Sequence, residues 1–428
     1  MNEYIGLILF GVFTALLLFR VPVSFCLGAS AMLCIFLLKI PLVIVGQRMF
    51  NSLDSFPIMA IPFFILSGNL MVEGGLSRRL VRFAMSLLAR IRGGLAMASV
   101  LACGMFAALS GSGPATVLSI GSCIYPELAK QGYPKPKMAG LIATAGSLGP
   151  IIPPSIIMVF FGTVTGASIT KMFAGGLGAG LLLLFGLIGI TAFMAVRGKW
   201  PKMSKDEERP KVWLSFKESF WALLMPVIVL GGIYGGIFTP TEAAAISVGY
   251  AFVVGGFVYR ELNLKNVLKI IRHSATSSTI VLFIIAASST FAWLITYANI
   301  TAQVKDLVLG MNFAPLPYLF FVCFIMLIFG LFMEATGTIV LFMPMMFPIS
   351  QILGIDPTHF GVTVCFALTV GGLTPPVAVN VFAIASVSGL SLNDIMKGEI
   401  PFLITMILIL LVIILVPGAV MFFPNLLS

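Results

Sequence analysis

Charge is what this sequence has least of: Asp, Glu, Lys and Arg make up 9% of its 428 residues. Soluble domains carry about 25%, so a water-facing surface of ordinary extent cannot be assembled from this chain. Histidine is scarcer still. His273 and His359 stand far apart, and no H-E-x-x-H run, P-loop or G-x-G-x-x-G fingerprint occurs. Metal and nucleotide chemistry therefore lack their usual ligands. Asp54, Asp206, Asp306, Asp356 and Asp394 fall in linkers or at the ends of apolar runs. That leaves no aspartate pair for an intramembrane protease, and no nucleophile–base constellation points to another membrane-embedded enzyme. The six cysteines, Cys26, Cys34, Cys103, Cys123, Cys323 and Cys365, sit inside apolar stretches without metal-ligand spacing. They read as reduced packing residues, not as a disulfide framework.

Apolar surface is what the chain has in abundance: 59% of residues are hydrophobic and the mean hydropathy is +1.11, more than a soluble core can hide. Runs of about 20 apolar residues, the length needed to cross a hydrocarbon layer about 30 Å thick, recur along almost the whole chain. The fold class read from this is an all-α integral membrane protein. The first run, residues 4–19, has no basic segment before it and is followed by Arg20-Val21-Pro22 instead of a small-residue cleavage site. It is expected to be a retained span, not a signal peptide.

A net charge of +10 arises from 25 basic against 15 acidic residues, and the basic ones cluster between apolar runs. That pattern argues for membrane topology and against a nucleic-acid partner. Short Lys/Arg-rich loops stay cytoplasmic. The polar stretch between Arg197 and Lys217, the block Arg78, Arg79, Arg82, Arg90 and Arg92, and the block Arg260, Lys265, Lys269 and Arg272 are accordingly placed inside. Threading spans 4–19, 21–38, 57–72, 220–238, 241–259, 276–298 and 401–422 through these anchors puts both termini on the periplasmic side. Residues 76–91 are too charged to span yet carry Leu76, Leu80, Val81, Ala84, Leu87 and Leu88 at helical spacing, which predicts a helix lying in the interface. Residues 264–271 repeat that character more weakly.

An offset of about 222 or 223 residues lays one half of the chain on the other, and what coincides is helix punctuation. Ser110-Gly111-Ser112-Gly113-Pro114-Ala115-Thr116 falls against Met333-Glu334-Ala335-Thr336-Gly337-Thr338-Ile339. Farther on, Gly146-Ser147-Leu148-Gly149-Pro150-Ile151-Ile152-Pro153-Pro154 falls against Thr369-Val370-Gly371-Gly372-Leu373-Thr374-Pro375-Pro376. A single extra span, 174–196, separates the halves and inverts the second relative to the first. The expected organisation is a first repeat over 1–196, a basic cytoplasmic linker over 197–218 and an inverted second repeat over 219–428. Segments 93–125 and 316–346 are expected to be re-entrant hairpins, one from each side, turning at Ser110–Pro114 and near Glu334–Gly337. A hairpin tip in lipid would leave backbone groups unsatisfied at several kcal/mol each, so both tips must be buried in protein or line a cavity.

These clusters are rich in Gly, Pro, Ser and Thr. Gly permits positive φ and close backbone approach, and Pro breaks the helical ladder and frees carbonyls. Freed carbonyls and hydroxyls suit a hard cation such as sodium, while the N-termini of the half-helices suit a carboxylate. Glu334 is the carboxylate placed at a hairpin tip, a candidate ligand for a coupling proton or cation. Thr239 and Glu242, with Pro240 between them, spell a capping box instead.

The segments Leu109-Ser110-Gly111-Ser112-Gly113-Pro114-Ala115-Thr116, Gly149-Pro150-Ile151-Ile152-Pro153-Pro154-Ser155, Phe238-Thr239-Pro240-Thr241-Glu242-Ala243-Ala244 and Gly371-Gly372-Leu373-Thr374-Pro375-Pro376 resemble, over essentially the whole chain, the DctM-like large membrane subunit of the tripartite ATP-independent periplasmic (TRAP) transporters. The resemblance implies an elevator-type secondary transporter with two re-entrant hairpins and two broken helices, driven by sodium and needing no other cofactor. It implies three partners besides the bilayer: a small four-span membrane subunit, here a separate polypeptide, a periplasmic substrate-binding protein, and a carboxylate substrate such as a C4-dicarboxylate or sialic acid. The bacterial inner membrane is the implied location. Carried over by motif, one sodium site comprises Ser110, Gly111, Ser112, Gly113, Ser147, Gly149 and Pro150, and the other Gly330, Thr336, Gly337, Gly371, Thr374 and Val377. Substrate contacts are expected from Ser112, Pro114, Thr116, Pro153, Glu334, Thr338, Pro375 and Asn380. A channel is the competing reading, but few mid-span polar residues exist to line its pore.

Overall fold

A computed structural model describes residues 4–19, 21–88, 90–202, 211–310 and 313–427. Arg20 and, within the 197–218 linker, residues 203–210 with Asp206 lie outside the described residues. Everything regular among the described residues is helical. Helices α1 (Ile5–Leu18), α2 (Val23–Leu37) and α3 (Val43–Leu53) lead through a 3₁₀ turn, Phe56–Met59, into α4 (Ala60–Glu73) and the amphipathic α5 (Leu76–Leu88). A first hairpin, α6 (Gly94–Ser110) and α7 (Gly113–Lys130), is followed by an interrupted helix, α8 (Lys135–Gly146) and α9 (Ile156–Thr165), and by α10 (Ile169–Arg197). The chain continues with α11 (Val212–Tyr234), α12 (Pro240–Val253), α13 (Leu264–Tyr297) and α14 (Ile300–Gly310). A second hairpin, α15 (Pro315–Phe332) and α16 (Ala335–Ile352), a second interrupted helix, α17 (Pro357–Gly371) and α18 (Val379–Ser388), and finally α19 (Leu392–Leu415) and α20 (Gly418–Leu427) complete it. Eight helices among the described residues are long and apolar enough to cross a membrane.

Local chemistry explains several boundaries. The Thr239 hydroxyl accepts from the Glu242 amide and the Glu242 carboxylate accepts from the Thr239 amide, with Pro240 at the first helical position, so α12 begins on the capping box the sequence spells. Helix α5 buries Leu76, Leu80, Val81 and Ala84 while Arg78 and Arg82 stay in the open. Its Arg79 is clamped, donating to Glu261 at 2.6 Å and to the Gly75 carbonyl at 2.9 Å with its guanidinium 3.7 Å from the centre of the Tyr259 ring. The first half's α5 is thereby tied to the segment between α12 and α13.

Helices α8 and α17 form the centre. Fourteen consecutive α17 residues, 358–371, are buried, and so is all of 138–155. Around them pack α19 against α8 and α15 against α17. Gly140 faces the Glu399 backbone so closely that a Cβ there would stand 2.6 Å from the Glu399 Cα.

Two expectations need correction, and one helix stands where none was expected. Residues 264–271 are not a separate interfacial helix, because they form the first turns of the continuous 34-residue α13. Nothing in that stretch breaks a helix, and Asn263 caps its start by accepting from the Asn266 amide. The amphipathic segment next to the second hairpin is α14, which carries Lys305 and Asp306. The final span is Leu392–Leu415, not 401–422, since the chain breaks at Val416-Pro417 and α20 is a separate helix. Helix α3 was not expected at all.

Candidate functional site

Both chain reversals and both helix interruptions meet around one cavity of about 750 Å³. Four helices begin on its wall: α7 through Gly113–Ala115, α9 through Ile156 and Ile157, α16 through Ala335 and Thr336, and α18 through Val379 and Asn380. The first amides of a helix have no partner within it and sit at the positive end of its dipole, so four such ends aim positive potential at one volume. The rest of the wall is α4, with Asn69 and Glu73, and the first half of α13, with Asn266, Lys269, His273 and Ser277.

The first tip is tight. Gly111 ends α6 at φ +61°, where a Cβ would overlap the Pro154 carbonyl oxygen, so only glycine fits between tip and break. Gly149 is pressed against the tip from the other side, its missing Cβ lying 2.5 Å from the Ser112 carbonyl oxygen. Three uncharged oxygens converge here. The Ser110 and Thr116 hydroxyls are 3.0 Å apart, and both reach the Ser112 carbonyl, Thr116 at 2.8 Å and Ser110 at 3.4 Å. Ser147 lies one turn before Pro150 and receives the Asn380 amide at 3.3 Å; the same amide donates to the Ala143 carbonyl at 3.1 Å. The expected set Ser110, Gly111, Ser112, Gly113, Gly149 and Pro150 is thus gathered in one place, with Ser147 linked to it through Asn380.

The second tip is looser. Gly330 and Gly371 touch backbone to backbone, a Cβ on Gly330 meeting the Gly371 Cα at 3.0 Å. The Val377 amide donates to the Leu331 carbonyl at 3.0 Å, which pins the second break to the second hairpin. The Thr336 hydroxyl is buried without a hydrogen-bond partner among the described residues. A buried hydroxyl left so is costly, and a ligand that accepts its lone pairs would relieve it. Thr374 sits in the break and bonds through its amide to the Gly371 carbonyl. Gly337 instead faces Val23 of α2, and Thr338 is buried with its hydroxyl on the Glu334 carbonyl at 3.1 Å. Glu334 is open to the cavity, as are Ser112, Pro114 and Asn380, whereas Thr116, Pro153, Thr338 and Pro375 lie outside its lining. Both Pro-Pro pairs, 153–154 and 375–376, are cis.

Sequence reasoning missed the α13 wall. Asn266, Lys269, His273 and Ser277 follow one another at helical spacing, a signal that was present but was assigned to an interfacial segment. Among the described residues no three His, Cys, Asp or Glu side chains gather as a metal cluster. A cation held at the first tip would rest on neutral oxygens, whereas the second tip also presents the Glu334 carboxylate.

A many-span helical protein whose central cavity is walled by re-entrant tips and helix breaks belongs to the class of membrane solute permeases. Residues 10–419 match the family described as "Tripartite ATP-independent periplasmic transporter, DctM component". The chain belongs to this family. It is 37% identical over 438 residues to the C4-dicarboxylate TRAP transporter large permease protein DctM of Rhodobacter capsulatus, covering 99% of each chain. It is 39% identical to the isethionate TRAP transporter permease protein DctMQ of Oleidesulfovibrio alaskensis, covering 98% of this chain and 66% of that one. The crystal structure of the Alcanivorax borkumensis YdaH transporter superposes with a TM-score of 0.60 at 15% identity, over 88% of this chain and 89% of the other, a likeness of fold alone. The relatives are named as permeases, and this chain is a permease, not an enzyme.

Proposed function

We propose that this permease imports an organic acid, a C4-dicarboxylate, a sialic acid or a similar anion, together with sodium, across the bacterial inner membrane. The observation that carries the reading is the convergence of four helix N-termini on one cavity beside clusters of uncharged oxygens. The former suits an anion and the latter a sodium ion, and each lowers the electrostatic cost of the other. Ser110, Ser112 and Thr116 with the Gly149–Pro150 break hold one sodium, and Thr336 with the Gly371–Val377 break holds a second. Glu334 is a ligand for the coupling ion.

The two halves are inverted repeats, and the hairpins and broken helices move as a body past a frame that includes α4 and α13. The basic residues Arg78, Arg79 and Arg82 mark the cytoplasmic side by the positive-inside rule, and Lys269 and His273 line the cavity. Both termini are periplasmic in this reading. A separate small membrane subunit completes the frame, the counterpart of the unmatched third of the isethionate relative, and a periplasmic binding protein delivers the substrate.

Reconstitution of the permease with its small subunit and binding protein in liposomes tests this, with labelled succinate, N-acetylneuraminate and isethionate as probes. Saturable uptake of one of them that collapses without an inward sodium gradient is expected. Uptake indifferent to sodium would overturn the coupling, and a non-saturating flux would favour a channel.

A further inference from the structure

The cavity described above is not neutral scaffolding on its α13 side. Glu73 and Glu334 both line it, so a carboxylate entering meets two groups of its own sign. Among the described lining residues the basic side chains are Lys269 and His273, one turn apart on α13. Neither stands within salt-bridge distance of a described carboxylate, because the three ion pairs found among the described residues all belong to Arg78, Arg79 and Arg82. Lys265 and Arg272, on the same helix, do not line the cavity. The position of Lys269 and His273 is therefore more than the general excess of positive charge that flanks membrane spans.

From this we infer that Lys269 and His273 form a second, frame-borne anion station, which takes the carboxylate of the substrate as it leaves the hairpin tips. The inference rests on the import reading above. An ammonium attracts a carboxylate, and the attraction is screened less beside apolar walls such as Ile65, Ile156, Ile157 and Val281 than in open water. Because α13 belongs to the frame, this attraction acts only while the tips lie beside it. The station thus binds the anion differently in the two positions of the carrier, which is the condition for shifting its equilibrium. It draws the anion off the tips toward the basic end of the molecule, while Glu334 and the sodium oxygens remain with the moving body.

The test is substrate exchange in liposomes containing the complete transporter, with binding protein and labelled succinate outside and unlabelled succinate varied inside. N-acetylneuraminate and isethionate serve as the alternative probes. Lys269→Gln is expected to raise the half-saturating internal concentration roughly tenfold, the size of one charged hydrogen bond. The external sodium dependence is expected to stay put. Lys269→Arg should restore the wild-type value, and Lys265→Gln and Arg272→Gln should match wild type. Should K269Q not fold, His273→Gln in the same assay is expected to raise the internal value severalfold. Equal effects of K269Q and K265Q, or no effect of K269Q and H273Q in a carrier that still couples uptake to sodium, would overturn the station and leave the import reading standing. A wild type that moves none of the three anions would sink both.

Discussion

The two hairpin tips share a backbone plan and differ in how their oxygens are spent. At the first, Ser110, Ser112 and Thr116 bond among themselves and glycines 111 and 149 lock tip to break. At the second, the Thr336 hydroxyl has no partner among the described residues and a carboxylate, Glu334, takes the place where the first tip has a glycine-serine run. The difference teaches that repeated punctuation fixes where a chain turns, while the side chains set beside it decide whether the turn is complete in itself or waits for an ion.

The sharpest way to break the contrast is steric. Gly149→Val would drive a branched side chain into the Ser112 carbonyl, and uptake is expected to fall by more than about a hundredfold, because overpacking here displaces the Ser110, Ser112 and Thr116 oxygens together. Gly189→Val on α10, where a Cβ meets nothing within 4 Å, should leave uptake near wild type. Next comes charge. Glu334→Gln should cut sodium-driven uptake by about tenfold or more, whereas Glu399→Gln, buried away from the cavity and hydrogen-bonded to Thr144 at 3.2 Å, should keep uptake close to wild type. Valine scanning separates the tips further. Thr116→Val loses its bond to the Ser112 carbonyl and should lower stability by about 1–3 kcal/mol in thermal unfolding. Thr336→Val loses no bond among the described residues, so its melting temperature should hold while the sodium needed for half-maximal uptake rises severalfold. The smallest effect belongs to Arg79→Gln: the Arg79–Glu261 pair is partly exposed, with 23% and 28% of the side chains accessible, and its loss should cost no more than about 1 kcal/mol.

Much of this was legible before any coordinates. Gly-Ser-Gly-Pro in an apolar run announces a turn, since it combines positive φ with a missing donor, and the α6–α7 reversal falls there; the α15–α16 reversal, at Met333-Glu334, was legible only through its match to the first half. The α12 capping box was readable for the same local reason. The 264–271 stretch misled because Lys265, Lys269 and Arg272 mimic an interfacial helix, and only continuity with α13 reveals a cavity wall. Helix α3 hid because Gln47, Arg48, Asn51 and Ser52 interrupt its hydrophobic pattern. Contacts such as Asn380 to Ser147, separated by 233 residues, depend on how distant segments pack and leave no mark in local sequence.

Five of the six thiols, those of Cys26, Cys34, Cys103, Cys323 and Cys365, are wholly enclosed by protein, and Cys123 is the one with part of its surface outside. A maleimide dye therefore has one native place to react. A cysteine introduced at a hairpin tip or along α13 could be followed almost free of background once Cys123 is replaced, and the natural chain is already nearly silent for distance measurements between the hairpin tips and α13.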